Sequence, residues 1–176
     1  DESESRGLGD VYKRQDPKHA WIEGIGILGI GKNAKEAAAA ADLAEQNIRV
    51  RSIGEDSGGF RPLGEKDMFD CEYWSLEQAK LGKGVAPPFQ GKVVLITGGA
   101  GTIGLETAKA FAGKGANIFL VDQNATALEK ASEILGPWHG SATCDITNPD
   151  EVKKVMEKVI WQFGGIDILI SNAGSA

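Results

Sequence analysis

The sequence predicts an α/β fold with a doubly wound parallel sheet over residues 91–176 and a less regular region before it. Three observations carry that expectation. From Lys92 onward strands and helices alternate strictly, the pattern of βαβ units. Val93-Val94-Leu95-Ile96 is a continuous apolar run, as a strand buried on both faces requires. The turn from Thr97 to Gly104, which joins that strand to a helix, is built around Gly98, Gly99, Gly101 and Gly104.

The helix after the turn carries Ile103, Ala108, Phe111 and Ala112 on its apolar side and closes at Gly113 and Gly115. Ile118 to Val121 is the second strand, ending at Asp122, and the second helix runs from about Asn124 to Leu135 before Gly136-Pro137. The third strand lies near Ser141 to Asp145. The third helix opens at Thr147-Asn148-Pro149, with proline at the first helical position and Asp150 and Glu151 in the first turn. Its apolar residues Val152, Val155, Met156, Val159 and Phe163 recur at helical spacing, and Ile166 to Ile170 is the fourth strand. Right-handed crossovers with a switch after the third strand order the sheet 3-2-1-4, with the first strand central and the fourth at an open edge.

Upstream, residues 1–15 are polar without a period, and Gly9-Asp10-Val11-Tyr12-Lys13-Arg14-Gln15 resembles translated adapter sequence, so they are read as a non-native tail. Trp21 to Ile30 reads as a strand, and an alanine-rich helix from about Ala34 to Asn47 has Asn33 as its N-cap. Ile48 to Ile53 reads as a second β-like run, Gly54 to Gly64 as a loop, and a helical pattern gathers around Tyr73, Leu76 and Lys80. Gly84, Pro87 and Pro88 mark residues 84–90 as a linker between region 16–83 and region 91–176.

Composition narrows the function classes. The formal charge of −6 is spread along the chain, which disfavours nucleic acid and anionic membrane as partners. Cys71 and Cys144 have no metal-ligand spacing, and no apolar run is long enough to span a bilayer or act as a secretory signal. A reducing cytoplasm is the expected compartment.

The chemistry sits in the glycine turn. Glycines at a strand-to-helix turn let a pyrophosphate approach the main chain, where free N–H groups and the helix dipole favour an anion. Eighteen residues past Gly104, Asp122 ends the second strand, where a carboxylate accepts hydrogen bonds from ribose hydroxyls and repels a 2′-phosphate. Neither Thr102 nor Gln123 supplies a cation, so NAD is expected over NADP. A second literal G-x-G-x-x-G, Gly24 to Gly29, lacks this setting: Trp21-Ile22-Glu23 makes a poor buried strand, and Glu55 and Asp56 fall in a glycine-rich stretch.

Residues 90–176 resemble the N-terminal half of a short-chain dehydrogenase/reductase, a Rossmann-type family, in Thr97-Gly-Gly-Ala-Gly-Thr-Ile-Gly104, Asp122, Cys144-Asp145-Ile146-Thr147 and Gly165-Ile-Asp-Ile-Leu-Ile-Ser-Asn-Ala-Gly174. The resemblance implies cofactor contacts from Gly98, Ala100, Gly101, Thr102, Ile103, Gly104, Asp122, Gln123, Asp145, Ile146, Asn172, Ala173 and Gly174, with Asp145 at the adenine and Asn172-Ala173-Gly174 stabilising the sheet beside the cofactor. Thr102 stands where the compact branch has glycine, so the glycines at 98, 101 and 104 match the extended, sugar-nucleotide-modifying branch, whereas Asp145 and the Asn-Ala-Gly tail favour the compact one. Ser171 replaces a usual asparagine. The family's serine and Tyr-x-x-x-Lys pair have no counterpart, since the two tyrosines are Tyr12 and Tyr73, and Glu77 follows Tyr73 by four; no catalytic residue is assigned and the chain is read as truncated at both ends.

Residues 16–83 resemble the end of a class II aldolase domain fused to such a dehydrogenase, as in bacterial bifunctional rhamnulose-1-phosphate aldolase/alcohol dehydrogenases. The specific part is Tyr73-Trp-Ser-Leu-Glu-Gln-Ala-Lys80 before the linker. The resemblance implies a divalent metal such as zinc only in the missing aldolase part, because His19 and His139 form no His-x-His pair. His19 reads as a surface residue and His139 as a loop residue, while Phe69, Tyr73, Trp74 and Leu76 fit an apolar helix face. The expected whole is an NAD-dependent oxidoreductase acting on a small sugar-derived aldehyde or alcohol, homo-oligomeric at full length. The alternatives are a non-catalytic nucleotide-binding module and an extended-type sugar-nucleotide epimerase or dehydratase.

Overall fold

The computed structural model describes residues 17–72 and 85–174. The helical pattern at Tyr73, Leu76 and Lys80, the tail 1–15 and the start of the linker lie outside them. The chain separates into two compact units, residues 1–30 with 39–85 and residues 31–38 with 86–176.

The first unit contains strands β1 (His19–Ile22) and β2 (Gly26–Gly29), paired antiparallel from His19↔Gly29 to Ile22↔Gly26. The single strand expected over Trp21 to Ile30 is therefore a hairpin. Glycine is the reason: Gly24 and Gly26 have φ of +75° and +119°, and the amide of Ile25 donates to the carbonyl of Ile22. Helix α1 (Ala34–Asp56) starts at the expected cap, where Asn33 Oδ1 accepts the amide of Glu36 at 2.9 Å.

Ile48 to Ile53, expected to be β-like, is instead a continuation of α1 through Gly54. The alternation of Ile, Arg, Val and Arg has period two, but no breaker follows the alanine run, and Arg49 pairs with Glu45 one turn back. Arg51 lies over the rings of Trp21 and Phe60, 5.5 and 5.3 Å from their centroids. Helix α2 (Glu65–Glu72) follows.

The second unit holds the four-stranded parallel sheet: β3 (Val93–Thr97), α3 (Thr102–Ala112), β4 (Asn117–Asp122), α4 (Ala125–Leu135), β5 (Gly140–Thr143), α5 (Pro149–Phe163) and β6 (Ile168–Ile170). Its order is β5-β4-β3-β6, the expected 3-2-1-4, with β3 beside both β4 and β6. Two short strands are placed differently: the third ends at Thr143, before Cys144-Asp145, and the fourth starts at Ile168 rather than Ile166. Alternation along the strands sends Val94, Ile96, Ile118 and Leu120 to the α3 and α4 side, against Ala108, Leu128 and Ala131. Val93, Leu95, Phe119 and Val121 face the other way, against Val155 and Val159 of α5. Burial of each such side chain contributes about 1.5–3 kcal/mol, so both faces of the sheet are cores.

Two apolar assignments are corrected. Ile103 is 74% exposed, because its neighbour Gly104 takes the buried side of the first turn of α3 and turns Ile103 away from it, and Met156 on α5 is also exposed. At the opposite edge from the glycine turn, Asp167 accepts Lys92 Nζ and the amide of Val93, both at 2.8 Å, joining the starts of β3 and β6. The Lys92 hydrogen bond, then the amide, holds the Asp167 carboxyl below the usual carboxylate range. His139 is in a loop as expected, but its ring is half-buried and Nδ1 accepts the amide of Ile118 at 3.1 Å.

Candidate functional site

A cavity of about 500 Å³ opens at the C-terminal ends of the strands, where connections leave the sheet in opposite directions from β3 and its neighbours. It is lined by the glycine turn after β3, the end of β4, the turn after β5 and the segment after β6.

The turn's geometry demands glycine. Gly98 has φ +62°, and a Cβ there would lie 3.0 Å from Ala173 Cα. A Cβ on Gly104 would lie 2.3 Å from the carbonyl oxygen of Gly98 and 2.9 Å from Gly99 Cα. Side chains are therefore excluded beneath the turn. At Gly101 the nearest atom to an added Cβ is 3.4 Å away, so that position is bare toward the cavity because of its residue type, not because it is crowded. Gly101 caps α3 without a side-chain hydrogen bond, leaving the first-turn amides of Thr102, Ile103 and Gly104 in the positive end of the helix dipole.

Three contacts hold this shape. The amide of Gly99 donates to the carbonyl of Val121 at 3.0 Å. Asp122 Oδ2 accepts the amide of Ala100 at 3.1 Å and Oδ1 that of Asn124 at 3.0 Å. Asn172 Nδ2 donates to the carbonyls of Thr97 and Gly98 at 3.1 Å each, while Thr97 Oγ1 accepts the amides of Asn172 and Ala173, also at 3.1 Å. The end of β6 and the end of β3 are thus one hydrogen-bonded junction.

After β5, Asp145 Oδ1 accepts the hydroxyl of Thr147 at 2.7 Å and its amide at 2.9 Å. These bonds, the hydroxyl first, lower the Asp145 pKa from the ordinary carboxylate value. Burial, followed by the charges of Glu151 and Asp145, pushes the Cys144 thiol up, so it is a packing residue of the wall and not a thiolate.

Of the residues expected from sequence, Gly98, Gly101, Asp122, Gln123, Asp145, Ile146, Asn172, Ala173 and Gly174 lie together on the cavity wall. Ala100 and Gly104 support the turn from behind, and Thr102 and Ile103 are exposed at the start of α3, outside the wall. The wall also includes Val121, Cys144 and Thr147, which the sequence reading left out of the site. Their signal is positional: Val121 precedes Asp122, and Cys144 and Thr147 fall within two residues of Asp145. Among the described residues the wall holds two carboxylates and no Lys or Arg. The bare turn, the excluded Cβ positions and the free helix amides fit a pyrophosphate, and the two acids fit neutral hydrogen-bond donors on either side of it.

The cavity is the crevice at the C-terminal strand ends of a doubly wound parallel sheet. Residues 92–176 match the short chain dehydrogenase family, and residues 3–81 match the second domain of class II aldolases. The two matches follow one another along the chain, the aldolase match before the dehydrogenase match. Along 96% of its length it is 33% identical to the uncharacterized oxidoreductase YuxG of Bacillus subtilis, of which it covers 25%. It is 42% identical over 89 residues to the D-threitol dehydrogenase of Mycolicibacterium smegmatis, covering 49% of this chain and 34% of that protein. A crystal structure of NAD+-bound xylitol dehydrogenase matches with 43% identity and a TM-score of 0.48, over 50% of this chain and 35% of that one. The chain therefore spans about a quarter to a third of the length of these relatives. Among the described residues, no helix is long and apolar enough to cross a membrane.

Proposed function

We propose that the cavity binds NAD as the cofactor half of an oxidoreductase, its pyrophosphate on the turn from Gly98 to Gly104, its adenosine between Asp122 and Asp145. The observation that supports this best is the wall itself: a bare glycine turn at a helix N-terminus, an acid at the end of β4 and another just after β5, and no basic side chain among the described residues. A 2′-phosphate would meet Asp122 without a compensating cation, which favours NAD over NADP. Each carboxylate oxygen of Asp122 accepts one amide and keeps a second lone pair for a ribose hydroxyl.

The nicotinamide supplies hydride chemistry when bound. This chain's own residues hold and orient the other half of the molecule. They include no Tyr-x-x-x-Lys pair to move the proton: Tyr12 is followed four residues later by Asp16 and Tyr73 by Glu77. We infer that residues 1–176 alone bind the dinucleotide and turn nothing over. In the whole protein, the aldolase match before the dehydrogenase match and the likeness to a D-threitol dehydrogenase support oxidation or reduction of a small sugar-derived alcohol or aldehyde; our reading places it in rhamnose-type catabolism, as a cytoplasmic homo-oligomer. A metal belongs to that aldolase part.

Isothermal titration of the chain tests this. NAD is expected to bind more tightly than NADP by about 1–3 kcal/mol, the cost of leaving a buried polar partner unmatched. Asp122→Ala with Gln123→Arg narrows or reverses the gap. Equal affinities in the unmodified chain would overturn the assignment, and reduction of lactaldehyde above the rate of a Gly98→Trp control would overturn the inactivity.

A further inference from the structure

In an ordinary capping box the third helical residue reaches back to the backbone N–H of the N-cap residue. Helix α5 departs from this. Its N-cap is Asn148, whose side-chain oxygen accepts the amides of Asp150 and Glu151 at 3.1 and 3.4 Å. The N–H of Asn148 is already directed elsewhere, to the carbonyl of Asp145 at 3.0 Å. Glu151 therefore reaches further. One of its carboxylate oxygens accepts Asn148 Nδ2 at 3.0 Å, and the other accepts the backbone N–H of Asp145, six residues back, at 2.8 Å.

The consequence falls on the cavity. Asp145 is held through its backbone by Glu151 and through Oδ1 by Thr147. Its Oδ2 has no hydrogen-bond partner among the described residues, and beside it on the wall stands Ile146, 42% exposed. An ionised carboxylate only accepts. A flat base lying on Ile146 is rewarded there for an exocyclic amino group, whereas a carbonyl in the same place sets oxygen against oxygen.

We propose that Glu151 is a positioning residue that makes this end of the site select adenine over hypoxanthine, by pinning the Asp145 backbone so that the free carboxylate oxygen faces the edge of the base. The proposal rests on the dinucleotide reading of the same cavity.

The test is calorimetric titration of the chain with ADP and with inosine diphosphate. The unmodified chain is expected to prefer ADP roughly tenfold, the weight of one hydrogen bond to a charged acceptor. Glu151→Gln keeps the size of the side chain but cannot accept both bonds, since its amide nitrogen only donates. The preference should then shrink to about threefold or less, through weaker ADP binding with inosine diphosphate little changed. Glu151→Asp, which keeps the charge at the helix start but is too short to reach Asp145, should do the same. Asp150→Asn removes a charge one residue away, from a side chain with no hydrogen bond among the described residues, and should leave the preference intact. If the two nucleotides weaken by a common factor in both Glu151 variants, or if the preference survives them, Glu151 serves only the helix and the proposal is overturned. Equal binding by the unmodified chain also overturns it. Binding of neither nucleotide by the unmodified chain removes the dinucleotide reading itself, and is seen before any substitution is made.

Discussion

Two segments of this chain contain glycines at closely similar spacings, and they do opposite things. Gly24 to Gly29 turns an antiparallel hairpin whose partner strands are largely exposed, and a Cβ added at Gly24 or Gly26 would touch nothing within 4 Å. Gly98 to Gly104 turns from a fully buried strand into a helix, and an added Cβ at Gly98, Gly99 or Gly104 would strike backbone or a core leucine. In the hairpin, glycine answers to backbone sign alone. In the sheet unit it answers to packing, and the packing leaves one face of the turn bare for an anion. Spacing is shared; the neighbours decide.

The largest expected effect separates the two directly. Gly104→Ala forces the carbonyl of Gly98 or the backbone of Gly99 to move, and should cost about 3 kcal/mol of stability together with nucleotide binding. Gly24→Ala meets no atom and should cost about 1–2 kcal/mol from its left-handed backbone, with nucleotide binding unchanged. Urea denaturation followed by NAD titration measures both. Similar losses in the two variants would break the comparison.

The second effect concerns what holds the glycine turn in shape. Asn172→Ala removes both donors to the carbonyls of Thr97 and Gly98 while leaving the amides of 172 and 173 on the Thr97 hydroxyl. A loss of about 1–3 kcal/mol in stability is expected, with weaker NAD binding, since these carbonyls lie beneath the turn. Unchanged NAD affinity would show that the turn keeps its form without the β6 end.

What could be read in advance follows the same division. The βαβ alternation, the order of the sheet, and the gathering of Gly98, Asp122 and Asp145 at one end were legible, because a buried parallel strand such as Val93 to Thr97 carries an unbroken apolar run, Val93 to Ile96, and the connections after such strands converge at one end of the sheet. The first unit was less legible. Its hairpin strands are only four residues each, and Ile48 to Ile53 has the period of a strand while lying in a helix without a breaker. Glu151 escaped notice for another reason. Asn148-Pro149-Asp150-Glu151 announces a capping box, but that the carboxylate passes the cap and reaches Asp145 depends on where the Asn148 amide points, which no spacing encodes.

The smallest effect probes the end of the sheet away from the cavity. Neutral His139 accepts the amide of Ile118 where β4 begins, and burial lowers its pKa below the ordinary 6.5. A protonated ring cannot accept at Nδ1, and the unfolded chain takes up the proton more readily than the folded one. The stability due to His139 is therefore fully present above about pH 6.5 and is lost as pH falls through the folded value. Asp167, held below the ordinary 3.8 by Lys92, adds a separate loss that starts only in the carboxylate range. His139→Asn places an amide oxygen near the position of Nδ1 but has no proton to gain, so urea midpoints of this variant should stay level through the histidine range and fall only in the carboxylate range. If the variant loses stability between these ranges as steeply as the unmodified chain, the proton is taken up elsewhere and the Ile118 contact is not what acid breaks.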